Sequence, residues 1–323
     1  MIPEGHAEAA QRILSHLKSL RGDTRLMADE ELAHGIRAID CAIYPRWPGM
    51  EEGPHAYSKM GPLVIRDEDS RTYDHPAQHH FKDSAARIQQ GDTPEGTIAL
   101  MNEFGIEAAM VLVDPDYNPE ASLKVIERYP DRLFGKLYIR PHQGMEAVRK
   151  IEEYAKGNPN IKALNISPFA TQRPPNDKVF YPIYAKAIEL NLPVAMTLGI
   201  PGPRVPGFVQ DPIHLDEPLW FFPELKIVIM HGGEPWEAMC VKLMLKWPNL
   251  YYMTSAFTPR HYPEDIVHYA NTRGSDKILY AGYYPGLPYD RLKTELNDLP
   301  LREHVWPKFL RENAARVFRL GIS

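Results

Sequence analysis

The chain has 323 residues, 44% of them apolar and 24% charged, enough for one large buried core and with no long stretch of disordered composition. The net charge of −5, with lysine and arginine scattered along the sequence, offers no basic field to a nucleic-acid backbone. No apolar run reaches the ~18 residues of a membrane span, and the N-terminus lacks a basic segment followed by an apolar one. A cytoplasmic protein without membrane or nucleic-acid partners is expected.

In chain order, an N-terminal helix is expected over 6–21, followed by short β-branched runs alternating with helix-period segments. Strands are expected at 36–41, 107–113, 133–139, 161–166, 192–197, 225–230, 249–253 and 277–281, with helices between most of them, as at 119–129, 143–155, 177–190 and 234–246. A last helix closes the chain. Eight alternations favour parallel strands with right-handed crossovers, closed into a single (β/α)8 TIM barrel at about 36–320 of one domain spanning 1–323. A doubly wound open sheet is the weaker alternative, because no Gly-rich turn follows the first strand. Two connections are long, 42–93 after strand one and 198–213 after strand five. Segments after strands lie at the mouth of a parallel barrel, so these are the expected lid and gate. Cys41 and Cys240 lie on different elements and read as reduced core thiols, with the Cys41 side chain expected to point away from the face carrying Ala42 and Tyr44.

The strongest chemical signal is KIVIMHGGEPW at 226–236. An apolar strand ends at His231, two glycines permit a tight turn, and Glu234, Pro235 and Trp236 open a helix. This sets an imidazole at a strand tip. Other strand-end positions are Asp114, Arg140, Asn165 and Ser255, with Arg46 and Trp47 just past strand one.

The segments LPVAMTLG, FPELKIVIMHGGEPW, PNLYYMTS, KILYAGYYP and FLRENAARVFRL, in this order, resemble successive blocks of the amidohydrolase-related family. Its members include aminocarboxymuconate semialdehyde decarboxylase and resorcylate-type decarboxylases. The resemblance implies a TIM barrel with a metal held by two histidines of a D-x-H-x-H pattern on strand one, histidines on strands five and six, and an aspartate on strand eight. In this chain those positions hold Ala42, Tyr44, Thr197, His231 and Tyr283, so the histidine of strand six alone survives. One imidazole does not hold a divalent ion tightly, and a neutral phenol is a poor ligand. No metal and no cofactor are therefore expected.

The reading that follows is a metal-independent hydrolase, or a non-oxidative decarboxylase or lyase, acting on a small cyclic or aromatic carboxylated compound. His231 is the expected general acid or base, and Tyr44 and Tyr283 polarise the reacting oxygen. Arg46 or Arg140 anchors the carboxylate, and Trp47, Asn165, Thr197, Ser255 and Trp236 complete the substrate site. By resemblance, some lactonases of the superfamily dispense with metal but use an acidic residue to activate water, where this chain has Tyr283. One alternative is a metal relocated onto His55, His75, His79, His80, His142, Glu234 or His261. Another is a catalytically silent ligand-binding barrel. Family members often pair, so a homodimer is expected.

Overall fold

The computed structural model describes residues 32–50, 81, 87, 91–202 and 205–322. The helix expected at 6–21 and most of the segment 42–93 lie outside the described residues. Eight strands form one sheet: β1 (Ala38–Ile43), β2 (Ile106–Val113), β3 (Leu133–Tyr138), β4 (Ile161–Ile166), β5 (Val194–Thr197), β6 (Ile227–Met230), β7 (Leu250–Met253) and β8 (Ile278–Leu279). Each pairs in parallel with the next in chain order. Across the seam, Cys41 N–H donates to the Tyr280 carbonyl at 3.1 Å, Tyr283 N–H to Ala42 at 2.9 Å and Tyr44 N–H to Tyr284 at 2.7 Å. The consecutive order and the bonded seam make this a (β/α)8 TIM barrel and exclude a doubly wound sheet.

Among the described residues, the α-helices of six residues or more outside it are α1 (Pro94–Glu103), α2 (Pro119–Arg128), α3 (Met145–Ala155), α4 (Tyr181–Glu189), α5 (Asp216–Phe221), α6 (Glu237–Lys246), α7 (Glu264–Ala270), α8 (Tyr289–Leu296) and α9 (Asn313–Phe318). Local chemistry sets their starts. Thr93 accepts the Gly96 N–H and Pro94 follows it as a proline at the first turn of α1, a position that needs no donor. The strands are buried on both faces, as parallel strands covered by helices must be. One set of residues, such as Ala109, Val111 and Val113 of β2, packs outward with Leu123 and Ile126 of α2. The other, such as Ala108, Met110, Phe134, Ala163, Ala195 and Val228, fills the barrel interior, joined by Val317 and Phe318 of α9. Both Cys41 and Ala42 belong to that interior group. The expected alternation fails there because the β1–β2 register shifts between Asp40 and Ile43.

β8 is shorter than the expected 277–281 because its next two donors turn elsewhere. Tyr280 N–H bonds the Phe309 carbonyl at 3.0 Å, and Ala281 N–H bonds Thr254 Oγ1 at 3.2 Å. A buried carboxylate reinforces the same seam. Asp40 accepts from Ala42 N at 3.0 Å, Gly282 N at 2.8 Å and the Tyr289 hydroxyl at 2.8 Å, tying β1 to β8 and α8. Burial nonetheless raises its pKa from 3.8 to about 6. Between these values the folded state holds a proton that the unfolded state has released, so this group's contribution falls as pH rises through that window, by about 3 kcal/mol. Asp40→Asn is uncharged throughout and is expected to remove that slope. Urea melts of both proteins at pH 4 and pH 7 check it: an unchanged stability difference between them contradicts the assignment. Among the described residues, no helix is long and apolar enough to cross a membrane.

Candidate active site

Two strand ends aim the reactive side chains. After β6, His231, Gly232 and Gly233 have φ of 61°, 86° and 66°, three left-handed residues in succession. Both glycines are required for space as well: an added Cβ would lie 2.5 Å from the Phe257 ring at Gly232 and 2.6 Å from Cys240 Sγ at Gly233. Tyr283, beyond β8, is left-handed too, with φ of 66°. Such backbone costs a residue with a side chain about 1–2 kcal/mol, and here it falls on two of the three residues expected to react.

The same two residues meet in space. The His231 ring stands edge-on to Tyr283 with centroids 5.3 Å apart, and Tyr283 lies 5.0 Å from Tyr44. Phe81, from the long segment after β1, stacks on Tyr283 at 5.4 Å. Ser255, just past β7, braces the histidine: its Oγ is 3.1 Å from Nδ1 and accepts the His231 backbone N–H at 3.0 Å. That bond fixes the ring rotation and leaves Nε2 for proton exchange. Burial, with Lys136 nearby, lowers the His231 pKa from 6.5 to about 3. The imidazole is neutral at neutral pH, so it is free to accept a proton, but it is a weak base whose protonated form gives the proton up readily.

Sequence reasoning passed over Lys136. It sits in β3 between Phe134 and Tyr138 at the inward parity, fully buried, with Nζ donating to the Cys41 carbonyl at 2.6 Å and 5.5 Å from the centre of the Tyr44 ring. Among the described residues it has no carboxylate at ion-pair distance. Burial lowers its pKa to about 8, and a buried unpaired lysine is rare. The available signal was its parity: a lysine two residues from two inward aromatics in a strand otherwise apolar.

Arg140 is placed differently from its expected role. Its guanidinium grips Asp114 at 2.7 and 2.8 Å and Asp116 at 2.6 Å, and its Cζ lies 4.6 Å from the Tyr138 ring centre. Two carboxylates already answer its charge, so it is no free fork for a substrate. Asp114 and Asp116 follow β2, and strand pairing brings them beside the end of β3. Thr197 lies 3.2 Å from Ser167 Oγ, a neighbour that sequence reading had missed. Asn165 is buried, and among the described residues its Oδ1 has no hydrogen-bond partner, which leaves an acceptor open inside the barrel. Arg46 is half-buried, and its carbonyl takes the Asp92 N–H at 2.9 Å. Trp236 is half-buried at the start of α6.

Trp47 leaves the expected substrate group. It is 2% exposed, packs in the layer between barrel and helices, and donates from Nε1 to Thr97 Oγ1 of α1 at 2.8 Å. Its size and its N–H are used by the fold. Trp47→Phe is expected to cost about 1 kcal/mol in a urea melt through the lost hydrogen bond while leaving turnover unchanged; a fall in turnover at equal stability would return Trp47 to the site.

A divalent ion does not fit the residues at the positions that the resemblance assigns to a metal. They offer a methyl from Ala42, phenols from Tyr44 and Tyr283, a Thr197 hydroxyl already against Ser167, and one imidazole braced by Ser255. The Lys136 ammonium beside Tyr44 adds repulsion. Among the described residues, no three His, Cys, Asp or Glu side chains gather to hold a metal. Of the alternative donors, His142 is in the turn after β3, Glu234 is exposed after β6 and His261 is in the turn after β7. His55, His75, His79 and His80 lie outside the described residues.

A family model described as amidohydrolase matches residues 23–320. Among solved structures, an uncharacterised TIM-barrel protein from Bordetella bronchiseptica aligns with a TM-score of 0.67 at 22% identity, over 88% of this chain and 99% of that one. A 5-carboxyvanillate decarboxylase from Novosphingobium aromaticivorans, with bound manganese and 3-methoxy-4-hydroxy-5-nitrobenzoic acid, aligns with 0.64 at 17% identity over 88% and 97%. A dihydroxybenzoic acid decarboxylase from Polaromonas sp. JS666, with manganese and 2-nitroresorcinol, aligns with 0.62 at 16% over 88% and 98%. No curated protein matches the chain.

Proposed function

The chain belongs to the amidohydrolase family, a family of enzymes, and on that premise we propose that it is a metal-independent decarboxylase of a small hydroxylated cyclic or aromatic carboxylate. The observation that carries this reading is His231: neutral, braced through Nδ1 by Ser255 and set edge-on to Tyr283. A neutral imidazole suits a substrate that brings its own proton. His231 takes the proton of the substrate hydroxyl and returns it to the ring carbon that bears the carboxylate. The C–C bond to the carboxylate then breaks, CO2 leaves, and its electron pair restores the ring as the phenolate or enolate, which takes one proton from solvent. The phenols of Tyr44 and Tyr283 hydrogen-bond the oxygen on which charge develops.

The open acceptor at Asn165 Oδ1 matches a ligand hydroxyl, since a buried acceptor without a donor costs about 1–3 kcal/mol. Aromatic hydroxy acids are named for two of the structural neighbours, which supports the substrate class. Hydrolysis of a cyclic ester is the second reading, favoured by the same neutral base acting on water, though no carboxylate assists it at Tyr283. Exposed Ile200, Phe208, Trp220 and Phe221 support a homodimer, which light scattering checks.

The test is a panel of hydroxybenzoates, their methoxy counterparts and aryl lactones, given to chelator-treated protein whose metal content is measured. CO2 release from hydroxy acids alone is expected. Lactone opening without CO2 release moves the assignment to the hydrolase. Stoichiometric metal required for turnover revives the relocated-metal alternative, and no turnover of any compound favours the silent ligand-binding barrel.

A further inference from the structure

We infer that Lys136 is a built-in cation for this site, a positioning residue whose ammonium holds the carboxylate of an acidic ligand at the mouth of the barrel. The inference rests on the proposed function only in taking the ligand to be an acid. Three observations carry it. First, the position: Lys136 is fully buried at the inward parity of β3, and its Nζ lies 5.5 Å from the ring centre of Tyr44, a position that the resemblance matches to a metal ligand. Second, the valence: an ammonium has three donors, and among the described residues Nζ uses one, to the Cys41 carbonyl at 2.6 Å.

Third, among the described residues no carboxylate bonds it directly, and the buried Asp40 answers its charge only from a distance. Asp40 and Cys41 of β1, Tyr44 just past that strand and His231 just past β6 face it. Asp40 directs its oxygens to the neutral donors of Ala42, Gly282 and Tyr289, so it attracts Lys136 without giving it a hydrogen-bond acceptor. The residues paired with Lys136 on the flanking strands, Leu112 and Ala163, carry no titratable group. The other candidate cation, Arg140, is taken by Asp114 and Asp116. In a low-dielectric interior a fixed charge acts over several ångströms without contact, so the ligand need not displace Tyr44 to feel it. A covalent cation is also consistent with a site whose positions matched to metal ligands by resemblance carry few donors. Ala42, Thr197 and Tyr283 have nothing to coordinate if the positive charge arrives on β3.

The experiment measures binding, so that it stands apart from turnover. Benzoate and benzamide are titrated into chelator-treated wild-type protein, then into Lys136→Met, Lys136→Arg and His231→Gln, with circular dichroism as the check on folding. Benzoate is expected to bind at least tenfold tighter than benzamide without added metal. Lys136→Met should erase that preference, Lys136→Arg should restore part of it, and His231→Gln should keep it. If the preference persists in a folded Lys136→Met, or appears only on adding a divalent ion, or is absent from the wild type, the assignment is wrong. The wild-type comparison decides even if the lysine variants fail to fold. Lost turnover in His231→Gln with the benzoate preference intact separates the two proposals.

Discussion

His231→Gln is expected to lower kcat by about 10²–10⁴-fold, the usual contribution of a positioned acid or base, with substrate affinity changed far less. Glutamine keeps a hydrogen-bonding side chain of similar reach but cannot carry the proton between two substrate atoms. The pH profile gives a second check. With the free-enzyme pKa near 3, kcat/KM should show no falling acidic limb from this group between pH 5 and 7.5, in contrast to an ordinary histidine near 6.5. Burial is the main cause and Lys136 the next. Lys136→Met should therefore move the limb upward, toward the ordinary value. A wild-type limb near 6.5 that vanishes in His231→Gln would mean that the ring is more solvated than its packing indicates.

Lys136→Met is expected to cut turnover strongly while leaving the fold as stable as before or more so. The ammonium is buried, and its pKa falls from 10.5 to about 8, a burden of about 3 kcal/mol on the folded state while the group is charged. Methionine fills similar volume without that charge. It leaves the Cys41 carbonyl without its donor, which returns about 1–3 kcal/mol, so the net change is small or favourable. The sign can be read from pH. Between about 8 and 10.5 the folded protein has released a proton that the unfolded chain still binds, so wild-type stability should rise with pH across that window. The methionine variant should lack that rise. Urea melts at pH 7.5 and 9.5 measure both slopes. A variant that is several kcal/mol less stable at pH 7.5 would make Lys136 a structural residue. Retention of a costly group that the fold does without is what a functional role looks like thermodynamically.

Much of this architecture was legible because its signals are local or periodic. Alternating β-branched and amphipathic segments located all eight strands, and the histidine followed by two glycines located a strand tip. Tyr44 and Tyr283, 239 positions apart in sequence, could be placed together only through the family's strand order. What escaped the sequence depends on which face a side chain occupies. Trp47 follows β1 closely enough to suggest the cavity, yet faces α1. Arg140 stands at a strand end like a ligand anchor, but its partners lie just past the neighbouring strand, and pairing between strands is invisible in a single sequence. Lys136 was hidden for the opposite reason: in an apolar run a lysine is ordinarily taken to face outward or to mark a strand end. The strand-one alternation failed where the β1–β2 register shifts between Asp40 and Ile43, a pairing between strands that the segment's own pattern does not display.

The left-handed backbone at His231 and Tyr283 has an evolutionary meaning. Where direction is set by φ rather than by packing of the side chain, the residue can be exchanged while the vector it projects along remains. A ligand-bearing strand tip thus becomes an interchangeable socket: remove an aspartate, insert a tyrosine, and the new functional group still arrives at the old coordinates. A catalytic centre could then pass from metal chemistry to proton chemistry by single substitutions, without the loops having to be rebuilt. Grafting histidine and aspartate into the positions that the resemblance matches to metal ligands is the corresponding design route to a metal-binding version of this barrel.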